Sequence, residues 1–144
     1  MIESLLLVDD EDLFHLVFED ACSLLDITLS LESLNSADEA EKLFKHWFEK
    51  GHDGRPECVF VDLNIVGSSF DGIELVRKIN FEYGDNVVIG IISSSNEAAE
   101  QAKALKAGDQ FWIIKSDNIE PRLEEFKLDY EGYRNRTQPF KIYR

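Results

Sequence analysis

The chain is poor in residues that brace a fold from outside its own core. Only two of its 144 residues are cysteines, Cys22 and Cys58, and they form neither the framework of a disulfide-stapled domain nor the paired spacing of a zinc site. Both are read as small buried hydrophobes, Cys22 in a helix and Cys58 opening a strand, which suits a reducing compartment. Long apolar runs are missing too, since none approaches the roughly 20 residues that cross a bilayer. Residues 1 to 8 hold one acid, Glu3, and no base, so they lack the positive start of a secretory signal. The N-terminus is expected to belong to the fold of a cytoplasmic protein. Positive charge is scarce, with 15 Lys and Arg against 29 Asp and Glu and a net charge of −14, which argues against nucleic-acid binding. The eight glycines never take the spacing of a P-loop or a dinucleotide fingerprint, so nucleotide binding is not expected.

What the chain has is apolar mass: 44% of it is hydrophobic and ten residues are Phe, enough for one domain that buries about two-thirds of its unfolded surface. Five short apolar segments recur, at residues 4–8, 27–34, 58–63, 87–92 and 111–114. Helical spacing fills the intervals. Leu13, Phe14, Val17, Phe18, Ala21, Leu24 and Leu25 share one face of a first helix. Ala40, Leu43, Phe44, Trp47 and Phe48 share a face of the second, behind Ser36 and Glu39 at capping-box spacing. Ile73, Val76 and Ile79 follow Asp71. Ala98, Ala102 and Leu105 lead to Gly108, a residue suited to a left-handed cap. The last helix begins near Pro121 and carries Leu123, Phe126, Tyr130 and Tyr133.

This alternation predicts an α/β fold, a doubly wound parallel sheet of five strands in the flavodoxin-like (βα)5 order 2-1-3-4-5. The second segment alternates apolar and polar residues, as an edge strand does, while the first, third and fourth are continuously apolar. Residues 51–56 and 65–70 are expected to be irregular. Residues 133–144 carry Arg134, Arg136, Lys141 and Arg144 without an acid, leaving 11 basic and 29 acidic side chains, a charge of −18, on the first 132. That basic tail is either a frayed terminus or a segment that lies on an acidic surface of its own chain or of a second copy, as in a homodimer.

The abrupt change from Leu5-Leu6-Leu7-Val8 to Asp9-Asp10-Glu11 is the strongest local signal. Clustered carboxylates repel unless a cation lies between them, and hard ions such as Mg2+ take such oxygen ligands; the alternative is a solvated loop. In a doubly wound sheet ligands bind beyond the carboxyl ends of the strands. That rule selects Asp9 and Asp10, Asp62 and Asn64, Ser93, and Lys115. Asp10 and Asp62 could share a divalent ion, Ser93 could donate to a ligand oxygen, and Asp62 could attack phosphorus to give an acyl phosphate, with Lys115 offsetting the developing charge. His15, His46 and His52 do not converge and read as surface or satisfied histidines.

In order and spacing these residues resemble the receiver domain of two-component response regulators, of the CheY-like type, across about residues 3 to 132. The match comprises Val8-Asp9-Asp10-Glu11, Asp62 with Asn64, Asp71-Gly72, Ser93-Ser94, Gly108, and Lys115 placed 22 residues after Ser93. The resemblance implies that Asp62 is the phosphoacceptor, receiving its phosphoryl group from a sensor histidine kinase or a phosphotransfer protein. It implies Mg2+ held by Asp10, by Asp9 through water, by Asp62 and by the Asn64 backbone carbonyl, with Ser93 and Lys115 on the phosphoryl oxygens. It implies a switch formed by Ser93 and Trp112, whose alternative is a half-buried aromatic on an edge strand, and signalling to a downstream protein target. With no output domain expected after residue 132, the chain would be a stand-alone phosphoacceptor whose only chemistry is self-catalysed transfer and autodephosphorylation. The alternative is a pseudo-receiver that serves as an interaction module without phosphorylation; a phosphatase is disfavoured because Asp-x-Asp is missing after a strand. Three departures stand out: a segment from Leu63 to Asp71 that is two residues longer than usual, Ser116 where proline is common, and Asp109 where alanine is common.

Overall fold

The apolar run Leu5–Val8 becomes a strand buried on both faces, and the same logic repeats along the chain. A computed structural model describes residues 2–50, 55–84 and 87–144. Its elements are β1 (Ile2–Val8), α1 (Asp12–Leu24), β2 (Thr28–Leu34), α2 (Ala37–Lys50), β3 (Cys58–Asp62), α3 (Gly72–Tyr83), β4 (Val88–Ser93), α4 (Ala98–Ala107), β5 (Phe111–Ile114), α5 (Glu120–Arg134) and β6 (Lys141–Tyr143). Every strand pair is parallel, in the order β2-β1-β3-β4-β5-β6. The doubly wound order and the edge position of β2 agree with the expectation from sequence. The strand count does not, because the described residues form a sheet of six strands rather than five.

The sixth strand comes from the segment read as a basic tail. After α5 the chain reverses tightly, with the amides of Thr137 and Gln138 both donating to the Gly132 carbonyl, at 2.8 and 3.0 Å. Arg136 takes a left-handed φ of 60°, and its guanidinium donates to the carbonyls of Gly84 and Val87. Trp112 then faces Ile142 in the β5–β6 register. The Tyr143 side chain is 1% exposed, and its hydroxyl donates to Asp129 at 2.7 Å and accepts from Tyr133 at 2.7 Å. Lys141 meets Glu125 and Asp129 at 2.8 and 2.9 Å, and Arg134 reaches Glu57 at 3.6 Å. The basic segment thus lies on the acidic body of its own chain, which overturns the frayed-terminus reading.

Alternation along the central strands builds two cores. Leu6, Val8, Val59, Val61, Ile89, Ile91 and Trp112 face α2, α3 and α4, while Leu5, Leu7, Phe60, Ile92, Phe111 and Ile113 face α1 and α5. The second core is rich in aromatic rings: Phe60, Phe111 and Phe126 pack with ring centroids 4.5–5.1 Å apart. Burying one such ring is worth roughly 1.5–3 kcal/mol. Cys22 and Cys58 are both free thiols and buried in this core, as expected.

The faces of α2, α3 and α5 are as read from sequence, and Ser36 Oγ accepts the Glu39 amide at 3.1 Å; the Phe48 side chain lies outside the described residues, as do residues 51–54 with His52. Two helix faces differ. Leu13 and Leu24 of α1 are 68% and 73% exposed, because only the narrower arc of Phe14, Phe18, Ala21 and Cys22 meets the sheet. In α4 it is Gln101, Ala104 and Ala107 that face inward, and Ala98, Ala102 and Leu105 face out. The small inward alanines bring α4 close to the sheet, and Gly108 ends the helix at φ 103°.

Candidate functional site

The carboxyl ends of β1, β3, β4 and β5 lie side by side in the sheet, so the residues just beyond them meet in one crevice. Asp9 continues the β1 ladder through its amide to the Leu34 carbonyl at 3.0 Å, and its side chain is fully buried. Its Oδ1 accepts the Glu11 amide at 2.8 Å and its Oδ2 accepts Lys115 Nζ at 2.8 Å. The backbone carbonyl of Asp9 meets His15 Nε2 at 2.5 Å, so that nitrogen carries the ring proton. His15 is therefore a satisfied histidine that braces the turn between β1 and α1. Asp10 is half-buried, and its Oδ2 accepts the Val66 amide at 3.2 Å.

Asp62 ends β3. Gly72 packs so closely beneath it that a Cβ there would stand 2.1 Å from the Asp62 carbonyl oxygen, which accounts for the glycine after Asp71. One carboxylate oxygen from each of Asp9, Asp10 and Asp62 lies within 4.8 Å of the others. Burial first, then the nearby Asp9 charge, pushes the Asp62 carboxyl up to about 7, with Lys115 opposing and Asp10 adding to the rise. Three hard oxygen donors that repel one another without a cation fit a divalent ion. Lys115 Nζ stands 3.7 Å from Asp62 and 3.2 Å from Glu11, and 4.3 Å from the centroid of the Phe14 ring. Burial alone would weaken its hold on a proton, but the bond to Asp9 and the charge of Asp62 raise it, so it stays cationic.

The other sequence-selected residues are placed differently. Ser93 is 2% exposed at the end of β4, its Oγ accepting the Ser95 amide at 3.1 Å. Asn64 is exposed, on the wall of an adjoining cleft with Asp71 and Ser95. Trp112 is not on the crevice, nor is it half-buried at an edge: β6 covers β5, the indole is fully buried, and its Nε1 donates to the Ser95 carbonyl at 3.0 Å. The segment after Lys115 needs no cis bond, for the described residues contain none, and Ser116 Oγ accepts from Arg122 at 2.6 Å. Sequence reasoning missed the Val66 amide, the Phe14 ring and the second role of Glu11, which starts α1 and also pairs with Lys115. Only Glu11, next to two acids already singled out, carried a signal.

Comparison of the sequence with protein-family models and with curated proteins finds no match. Comparison with solved structures does. The isolated REC domain of RcsB from Salmonella enterica serovar Typhimurium, solved in the presence of the phosphomimetic BeF3−, superposes with a TM-score of 0.76 at 12% identity, over 96% of this chain and 92% of that one. The fold is that of a receiver domain. The Mn2+-bound form of the response regulator Rcp1 matches the same receiver fold with a TM-score of 0.71 and 18% identity, over 90% of this chain and 92% of its own. The phosphorylated cyanobacterial phytochrome response regulator RcpA does so with a TM-score of 0.72 and 18% identity, over 95% and 96%. No helix among the described residues is long and apolar enough to cross a membrane.

Proposed function

We propose that the chain acts as a response-regulator receiver in the cytoplasm, accepting a phosphoryl group on Asp62 and signalling by contact with a downstream protein. The observation that carries this reading is the convergence of Asp9, Asp10 and Asp62 within 4.8 Å, with Lys115 3.7 Å from Asp62. A carboxylate oxygen of Asp62 attacks the phosphorus of a phosphohistidine on a sensor kinase or phosphotransfer protein. The P–N bond breaks, the imidazole leaves and takes a proton from solvent, and an acyl phosphate remains on Asp62. Asp10, Asp62 and the Asn64 carbonyl, with Asp9 through water, would hold a Mg2+ ion, which would supply positive charge against the phosphoryl oxygens. Lys115, already cationic, turns part of its bonding from Asp9 and Glu11 to the new phosphate. Ser93 releases the Ser95 amide to donate its hydroxyl, and the Ser95 carbonyl in turn holds the Trp112 indole, which gives the switch a short path from phosphate to β5.

The surface beside the crevice suits a protein donor. Leu13 lines the cleft that contains Lys115 and is 68% exposed, and Leu16 on the same helix is 61% exposed. Retention of Asp9, Asp10, Asp62, Ser93 and Lys115 weighs against a pseudo-receiver. The tail offers little to a homodimer, as Arg134 and Lys141 are paired within the chain. Intact mass after incubation with Mg2+ and acetyl phosphate tests the proposal. One phosphoryl adduct is expected on the wild type and none on Asp62→Asn; an unmodified wild type, or an adduct that survives the substitution, sinks it.

A further inference from the structure

The segment between β3 and α3 is two residues longer than the receiver resemblance leads one to expect, and the extra length is pinned at both ends. Ile65 to Ser68 form a turn in which the Ser68 amide donates to the Ile65 carbonyl at 3.3 Å, with Gly67 at φ 81° in the third position, where such a turn needs glycine. On one side of this turn the Val66 amide reaches Asp10 Oδ2 at 3.2 Å. On the other, Ser68 Oγ accepts the Ala37 amide at 2.9 Å and the Ser69 amide donates to Asp38 Oδ2 at 2.9 Å. The loop and the first turn of α2 thereby satisfy each other's free polar groups. The Ser69 bonds also hold the Asp38 carboxyl below the usual carboxylate range, so it remains a charged acceptor.

We propose that Ser68 and Asp38 are positioning residues for the divalent-cation site, acting at a distance by holding the Val66 amide against Asp10. This rests on the cation reading given above. A hydrogen bond to the outer side of a ligating carboxylate fixes which lone pairs face the ion, and losing such a bond commonly costs tenfold or more in affinity. Deleting the amide takes a proline, which would also reset the turn, so the test instead removes the two side chains that tie the loop to α2, Ser68 on the loop and Asp38 on the helix.

The test is a titration of the full chain with Mn2+ alone, free Mn2+ being read by electron paramagnetic resonance, beside amide hydrogen exchange of residues 65–69 without metal. Asp10→Asn is expected to abolish binding. Ser68→Ala and Asp38→Ala should each weaken it about tenfold and speed exchange at Val66. Ser68→Thr, which keeps the hydroxyl, and Asp38→Asn, which keeps the acceptor but not the charge, should bind within about twofold of the wild type. Wild-type affinity in Ser68→Ala and Asp38→Ala, with binding still lost in Asp10→Asn, overturns the positioning role and leaves the cation site standing. Equal losses in Asp38→Asn and Asp38→Ala would reduce the effect to charge and also overturn it. A wild type that takes up no Mn2+ removes the cation reading, and this inference with it. Lowered thermal stability at unchanged affinity would assign the two residues to helix capping alone.

Discussion

Asp62 and Asp109 are buried carboxyls at opposite ends of the same sheet, and their surroundings separate a reactive group from a sealed one. Asp62, 9% exposed at the carboxyl end of β3, has a lysine 3.7 Å away and two further acids beside it. Asp109, 3% exposed just before β5, has no hydrogen-bond partner on either oxygen among the described residues. Burial dominates both and favours the protonated form, but for Asp109 only the backbone amides of Ile91, Phe111 and Gln110 oppose it. Burial alone therefore does not make a carboxyl a site. What distinguishes Asp62 is solvent access together with charged neighbours whose positions the strand ends dictate.

The widest gap between the two acids should appear in chemistry. Asp62→Asn is expected to lose the phosphoryl adduct completely, while Asp109→Asn keeps it, both read by intact mass. Next in size is Lys115→Ala, which strands the fully buried Asp9 charge and should cost about 3 kcal/mol of unfolding free energy in urea. Asp109→Asn should act in the opposite sense. The folded protein holds the Asp109 proton more tightly than the unfolded chain, whose carboxyl titrates near 3.9. Wild-type stability then falls as pH rises above about 4 toward the folded value, a loss the amide cannot suffer. Urea unfolding should show the variant more stable by about 1–2 kcal/mol at pH 8 and level with wild type at pH 4. Tyr143 supplies the smallest contrast, a buried polar group that is fully partnered: Tyr143→Phe removes its bonds to Tyr133 and Asp129 and should cost about 1 kcal/mol by the same measurement.

Those contrasts also mark how far the sequence could be read. Continuous apolar runs betrayed β1, β3 and β4, because a strand covered on both faces has no polar face to display. Strand ends then selected Asp9, Asp10, Asp62, Ser93 and Lys115 without any contact being known, since parallel topology puts those ends in one row. The limits have physical causes as well. Helical spacing gives the period of α1 but not the width of the arc the sheet covers, so Leu13 and Leu24 were expected inside. In α4 the residues that face inward are small or polar, so the larger Leu105 drew attention to the wrong side. β6 escaped because Lys141 and three arginines dominated the reading of a segment whose Phe140, Ile142 and Tyr143 pack on the sheet. Trp112 was misplaced for the same reason, as its burial depends on that strand. The Val66 amide had no signal at all, since a backbone donor looks the same at every position.

The sixth strand also changes how the sheet meets a crowded solution. A parallel sheet leaves two rows of unpaired amides and carbonyls at its margins, and such margins can template the association of other chains. Here one margin is β2, seven residues with Glu32 among its exposed positions, and the other is β6, only three residues long with Lys141 tied to α5 by two carboxylates. Without β6 the margin would be β5, four residues reading Phe-Trp-Ile-Ile. A short strand bearing a lysine replaces an uncharged aromatic and aliphatic edge, and that edge is withdrawn from solvent.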